Sequence, residues 1–364
     1  DGGDDSIEGS SALASNGQAA ALQIGSTTEA ITIGRVAATG DDAYGLVVRG
    51  SVVGNGTLDN IAGTAIRIGT DAGLTTTIEG GIRTQGAATA IAYNNDAQAL
   101  HLEGGAVADT IFNDGSLLAS TNATSGAAAS EGAFAAFAVR IDQNASVHTF
   151  NNSGSIVAIA NGENGSAVGV WDRGGGITSF TNSGTITAIV APTDDANDTD
   201  DTDNDASNET VTGEAIAVDL RYAAAGVTFV QLGVADGDDD LDSTTTDPDK
   251  DGDGVDDADE PAMIGNLYFG GFDDTLDLRN GTLAGDVSFG VGADVFSLSG
   301  GAEATGDLRD SDGQLTVNVT AGSLTISNAE IIDGTALNIG ATSSVIFTAD
   351  PNGNGGLGSN TQFT

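Results

Sequence analysis

Short stretches in which small or apolar residues alternate with polar ones recur along the chain: TAIRI (64–68), TAIAY (89–93), AFAVRI (136–141), SAVGVW (166–171) and EAIAVDL (214–220). Successive side chains of a β-strand point to opposite faces, so this alternation predicts strands with one buried face, each of them one strand of a repeat. A second set lies between them: TIFNDGSLLAS (110–120), HTFNNSGSIVAIA (148–160) and TSFTNSGTITAIV (178–190), with weaker echoes in TIEGGIRT (77–84) and RNGTLAGDV (279–287). In this set an apolar strand end meets an Asn/Gly turn and a second strand leaves. Matching Ile66 to Ile91 and Val139 to Val168 gives a period of roughly 20 to 30 residues with two or three short strands in each, the mark of a β-solenoid. Dense Gly and β-branched residues and the lack of a sustained i, i+3, i+4 stripe oppose helices. A β-sandwich has short strands too, but does not require one phrase to return at one phase. Twelve to fifteen rungs at about 4.8 Å would make a rod roughly 60 to 70 Å long.

The repeated phrases assign positions. Asn113, Asn152 and Asn182 each precede a glycine by two residues, at Gly115, Gly154 and Gly184. They are expected to stack rung on rung, amide to amide, with the glycines supplying positive φ at the corner. Phe112, Phe150 and Phe180 are expected to stack beneath the same corner. A ligand-binding row of amides is the functional alternative to this structural ladder. In the other strand, aligning Val139, Val170 and Val218 puts Arg140, Trp171 and Asp219 at one outward position and Asp142, Arg173 and Arg221 two residues on. Neighbouring rungs hold such groups about 5 Å apart, the separation of a carboxylate pair in retaining glycoside hydrolysis. Asp142, Asp172 and Asp219 beside Arg173 and Trp171 could thus form a sugar-cleaving or sugar-binding groove, or an Arg/Asp ladder that offsets stacked like charges. His101 and His148 are in no metal-ligand spacing and are expected to be exposed strand residues.

Composition narrows the partners. The 364 residues carry 53 acidic against 10 basic side chains, a formal charge of −43. Binding phosphate backbones requires Lys and Arg, so nucleic acid is excluded as a partner and a bare anionic membrane disfavoured, while divalent cations are favoured. Nine of the basic residues are Arg, and the sole Lys, Lys250, lies within an acidic run. There is no Cys, which removes disulfides and thiol chemistry. No apolar run reaches the ~20 residues of a membrane-spanning helix.

Two acidic segments interrupt the repeats. The expected organisation is β-helix rungs over 1–191, an acidic insertion at 192–213, a further rung at 214–235, an acidic calcium-binding-like loop at 236–263, and a C-terminal β-helix stem over 264–364. Within DKDGDGVDDADE, Asp249, Asp251, Asp253, Asp257 and Glu260 fall at positions 1, 3, 5, 9 and 12 of a twelve-residue calcium loop, with Gly254 at position 6 and the Val255 carbonyl at position 7. Asp256 occupies the usually apolar position 8. DTDNDASNE (201–209) is a weaker copy, with Ala206 in place of the glycine. FGVGADVF (289–296) and GGFDDTLDL (270–278) partly match a calcium-binding nonapeptide and read mainly as solenoid corners.

The stretch DKDGDGVDDADE resembles the calcium repeats of thrombospondin type 3, which share D-x-D-G-D-G-x-x-D. The TNSGTITA phrases, followed by DDTLDLRNGTLAGDVSFGVGADVFSLSGGA and SLTISNAEIIDGTALNIGATSSVIFTAD, resemble the passenger of a bacterial autotransporter over most of the chain. That resemblance implies a right-handed parallel β-helix with acidic loop insertions, exported through an outer-membrane barrel to the extracellular space or the bacterial cell surface, its C-terminal part a stable stem. The function expected is structural or adhesive: a calcium-stabilised (Ca2+) surface protein that self-associates into fibres or contacts cell-surface glycans. A polysaccharide-active β-helix enzyme is the alternative.

Overall fold

A computed structural model describes residues 11–123, 134–162, 164–192, 211–234, 255–256, 259–326 and 334–347. Among them the chain forms 33 short strands and no helix. The strands build four sheets in which the ladder pairings are all parallel, and the chain visits the sheets in turn, making a right-handed parallel β-helix. The first sheet stacks eleven strands from Ala12–Asn16 to Ser344–Phe347, and the second stacks nine from Leu22–Ile24 to Leu308–Arg309. The third stacks ten from Leu46–Val48 to Gly334–Ile339. A sheet of three, ending at Ala106–Ala108, widens only the early coils. Among the described residues the longest sheet stacks eleven rungs, roughly 50 Å along the axis. After Pro261 the coil tightens: Ala262, Thr282, Glu303, Ser323 and Ser344 are successive partners in the first sheet.

Backbone hydrogen bonds run along the rod, so each inward residue packs on its counterpart one rung away. In the first sheet that row is Gly54, Ala90, Ala119, Ala158 and Ala188, small residues that let the opposite sheet come close. A Cβ on Gly54 would lie 2.0 Å from the carbonyl oxygen of Thr64, so even alanine does not fit there. The third sheet carries the amide ladder. Asn113 Nδ2 donates to Asn152 Oδ1 and Asn152 Nδ2 to Asn182 Oδ1, both at 2.8 Å, and Asn182 Nδ2 donates to Gln231 Oε1 at 3.1 Å. All four side chains are buried, so the row is structural and offers no amide to a ligand.

Several sequence expectations change in register. Phe150, Phe180 and Phe229 stack with centroids 4.7 and 4.4 Å apart, but Phe112 does not join them. Ile111 pairs with Phe150 while Phe112 pairs with Asn151, so Phe112 lies on the outer face beneath the Arg83 guanidinium, 5.0 Å from its ring centre. TIFN and TFNN pair end to end, Thr on Thr and Asn on Asn, but the phenylalanine stands one place later in TIFN, and neighbouring places on a strand face opposite sides. Ile66 pairs with Leu100, not with Ile91, which belongs to the first sheet; strands of different sheets share one alternation and are not told apart by it. Gly115, Gly154 and Gly184 do not adopt positive φ. Their need is space: a Cβ on Gly154 would sit 2.1 Å from the Gly115 carbonyl oxygen, and one on Gly184 2.2 Å from that of Gly154.

Truncating Phe180 removes the middle ring of the stack and is expected to cost about 3–5 kcal/mol. Asn152→Ala leaves the Asn113 donor and the Asn182 acceptor unpaired and is expected to cost about 1–3 kcal/mol. The outward neighbour Asn151→Ala is expected to stay within about 0.5 kcal/mol of the parent. Urea unfolding of the three variants measures the order, and equal losses at 151 and 152 would refute the ladder.

Candidate binding face

The outer surface of the second sheet concentrates the unusual side chains. In Ala97–Leu102, Ala135–Ile141, Ser166–Asp172 and Ala215–Asp219 the strict alternation breaks at Ala99, Ala138, Gly169 and Ala217, which the pairing skips. Two successive residues there turn inward, so the outward rows are three positions apart. One row runs Gln98, Phe137, Val168, Ile216, and the next runs Arg67, His101, Arg140, Trp171, Asp219, Tyr268. Phe137, Val168 and Ile216 form an apolar cluster separate from the main core, with Ala135, Trp171 and Tyr268 against it. Phe137 and Trp171 stack face to face at 5.0 Å.

Arginines lie across these rings. Arg140 is 5.2 Å from the Phe137 ring centre and 5.5 Å from that of Trp171. Arg173 is 5.1 Å from Trp171 and 5.8 Å from Tyr222, and Arg221 is 4.6 Å from Tyr268. Such contacts contribute about 0.5–1 kcal/mol each at exposed sites. They place one arginine and one ring on each of three neighbouring rungs: Arg140 with Phe137, Arg173 with Trp171, and Arg221 with Tyr222.

The predicted alignment of Val139, Val170 and Val218 is the observed register, and it settles the three carboxylates. Asp172 pairs with Ile141 and turns inward; its oxygens accept the Gly175 and Ile177 N–H groups at 2.9 and 3.0 Å. Burial pushes its carboxyl up against the pull of backbone amides from Gly174 to Ile177. Asp219 accepts two guanidinium hydrogen bonds from Arg221, at 2.9 and 2.7 Å, and is itself buried. Asp142 takes the Arg140 Nε–H at 2.8 Å and lies 2.8 Å from His101 Nε2. Burial pushes the Asp142 carboxyl up, but these two partners outweigh it and hold it at about 2. Asp142 and Asp219 are on rungs two apart, so no free carboxylate pair meets on adjacent rungs among these three. The Arg/Asp pairs close within a rung, Arg140 on Asp142 and Arg221 on Asp219, and His101 joins Asp142 from the rung before. His101 corrects a further expectation: it is 5% exposed, flanked in register by Arg67 and Arg140, whereas His148 is on the surface beside Asp109.

Of the proposed calcium ligands, Asp249, Asp251, Asp253 and Asp257 lie outside the described residues. Val255 is buried, and its side chain fills the space that a Cβ on Gly233 would need, 2.6 Å away; Glu260 is half-buried. Among the described residues no group of three His, Cys, Asp or Glu side chains converges to hold a metal ion.

The stem corners GGFDDTLDL and FGVGADVF hold a feature the sequence left unmarked. Asp274 and Asp294 are buried on adjacent rungs, Val227 N donates to Asp274 Oδ1 and Asp274 N to Asp294 Oδ1, each at 2.7 Å. The second oxygen of each carboxyl has no hydrogen-bond partner. Burial, with Asp294 and Asp273 nearby, pushes Asp274 up to about 6, and burial also raises Asp294. The signal was present in the sequence as two aspartates at one phase, twenty residues apart.

A carboxyl whose pKa is higher in the fold than in the unfolded chain, where it is near 4, favours the protonated fold. Its contribution is full below pH ~4 and lost as pH rises through about 6. Asp274→Asn keeps the shape without the charge. Its urea midpoint is expected to gain on the parent between pH 5 and pH 8; a parent-minus-variant difference that is flat with pH would disprove the shift.

No protein-family model matches the chain, and comparison with curated proteins and with solved structures finds no match for it.

Proposed function

We propose that the chain is an extracellular structural and adhesive rod, displayed at a bacterial cell surface in the manner of an autotransporter passenger. One observation carries this reading: the distinctive side chains form a continuous outer strip along one sheet, while the inward polar groups of the amide row are spent on binding rung to rung. A catalytic centre requires groups that converge and remain free. Here Asp142, Asp172 and Asp219 are each engaged by arginine, histidine or backbone amides. A strip repeated along a rod presents the same contact many times, which suits adhesion to a repeating surface.

Self-association follows from the same geometry, because a parallel stack extends by adding rungs and a second copy can do so end to end. Calcium stabilisation rests on the sequence of the 249–260 loop, where Asp249, Asp251, Asp253, Asp257, Glu260 and the Val255 carbonyl supply oxygen ligands. With a chain charge of −43, a divalent ion also relieves repulsion among the acidic segments.

Electron microscopy of the purified protein with and without calcium is expected to show rods that associate when calcium is present. Chelation is expected to lower the melting temperature and disperse any assembly. Unchanged melting and particle size in EDTA would remove the calcium role. Turnover of a polysaccharide by the parent, abolished in both Asp142→Ala and Asp219→Ala, would replace the adhesive reading with an enzymatic one.

A further inference from the structure

Among the arginines of the aromatic strip, Arg173 is set apart by its partners. Arg67 faces Glu103 at 3.4 Å, Arg140 is held by Asp142 at 2.8 Å, and Arg221 by Asp219 at 2.7 Å. Arg173 forms no ion pair among the described residues, although the chain has more than five acidic residues for every basic one. Its Nε is buried and has no hydrogen-bond partner. The guanidinium lies between the rings of Trp171 and Tyr222, and Tyr222 is 52% exposed. The Arg173 side chain as a whole is half-buried, so its guanidinium keeps some access to solvent while its charge meets no carboxylate among the described residues.

We propose that Arg173 and Tyr222, backed by Trp171, form a subsite for a uronic-acid residue of a glycan, the sugar carboxylate pairing with the guanidinium and the sugar's apolar face resting on the exposed Tyr222 ring. The inference deepens the adhesive reading by naming the chemistry of what the strip contacts, and rests on that reading. Guanidinium is planar and presents paired N–H groups that match a carboxylate, while the exposed part of Tyr222 supplies the apolar surface a pyranose ring needs. The position is electrically unlike the rest of the molecule. Arg140 with Asp142 and Arg221 with Asp219 cancel one another, which leaves Arg173 as a local positive charge on a near-neutral strip.

The overall charge decides which anion fits. A chain at −43 repels a dense polyanion such as a nucleic acid or a heavily sulfated polymer, whose many charges would face the acidic segments together. One carboxylate separated by neutral sugars feels mainly the guanidinium it touches, since charges beyond about 8–10 Å are screened at physiological ionic strength. An oligosaccharide of alternating glucuronate and neutral sugars meets that requirement.

Trp171 is the only tryptophan in the chain, so its emission reports this site alone. Titration with an oligosaccharide of alternating glucuronic acid and neutral N-acetylated sugars is expected to change that emission saturably. The same oligosaccharide with its carboxylates methyl-esterified is expected to bind at least about tenfold more weakly, and Arg173→Gln to lose about the same factor, corresponding to loss of one charged contact of about 1.4 kcal/mol. Tyr222→Leu, at an exposed ring whose removal leaves the core intact, is expected to weaken both the acid and its ester. Circular dichroism and melting of each variant check that the rod is folded. Equal binding of acid and ester, an unaltered affinity in folded Arg173→Gln, or no binding by calorimetry at millimolar acid would each overturn the subsite. Rod formation and calcium dependence are read separately by microscopy, so failure of the subsite leaves that result intact, and loss of the rods is visible without any sugar present.

Discussion

Every residue of this rod meets its own counterpart one rung above and one below, about 4.8 Å away. The inter-rung backbone hydrogen bonds fix that spacing and direction, and the side chains must satisfy it. Amides do so well, because each offers a donor and an acceptor along the axis, as Asn113, Asn152, Asn182 and Gln231 show. Flat rings do so by stacking, as at Phe150, Phe180 and Phe229. Like charges do so badly. The outer rows therefore interleave arginine, aspartate and aromatic side chains, and where two carboxyls must stack in the stem, at Asp274 and Asp294, burial holds the proton on more strongly.

The same rule shapes the candidate face. Small residues at Ala99, Ala138, Gly169 and Ala217 bend successive strands at one level. The bend turns Phe137, Val168 and Ile216 outward and aligns them beside Trp171 and Tyr268. An apolar strip on the solvent side of a sheet gains stability from its own stacking and from the arginines that cross it. Of the carboxylates beside it, Asp142 is bonded to His101 across the rungs, while Asp172 and Asp219 are held within their own coil.

Some of this was legible in the chain and some was not. The return of one Asn/Gly phrase at one phase is enough to predict stacked parallel strands and a buried amide row, since no other β architecture needs it. The alignment of Val139, Val170 and Val218 likewise carries over, whereas the match of Val139 to Val168 does not, since Val168 pairs with Phe137. Phe112 was misplaced because phenylalanine is the third residue of TIFN but the second of TFNN, and Ile91 because alternation is common to all the sheets. Gln231 and Phe229 were missed in FVQLG, which lacks the Asn and the Ser-Gly turn of its predecessors although it keeps their pattern of buried and outward positions.

By itself the sequence determined the fold class, the direction of repetition and the acidity that limits the partners, because these follow from periodicity and charge, which add up along a chain. Only the tertiary structure decided which face each residue takes and which charges remain unpaired. Those depend on register across 30 to 50 residues of intervening chain, as between Arg173 and Tyr222 on the outer face and between Asn182 and Gln231 inside. A shift of one residue, invisible in composition, would have put the arginine strip inside the rod and the amide ladder in water.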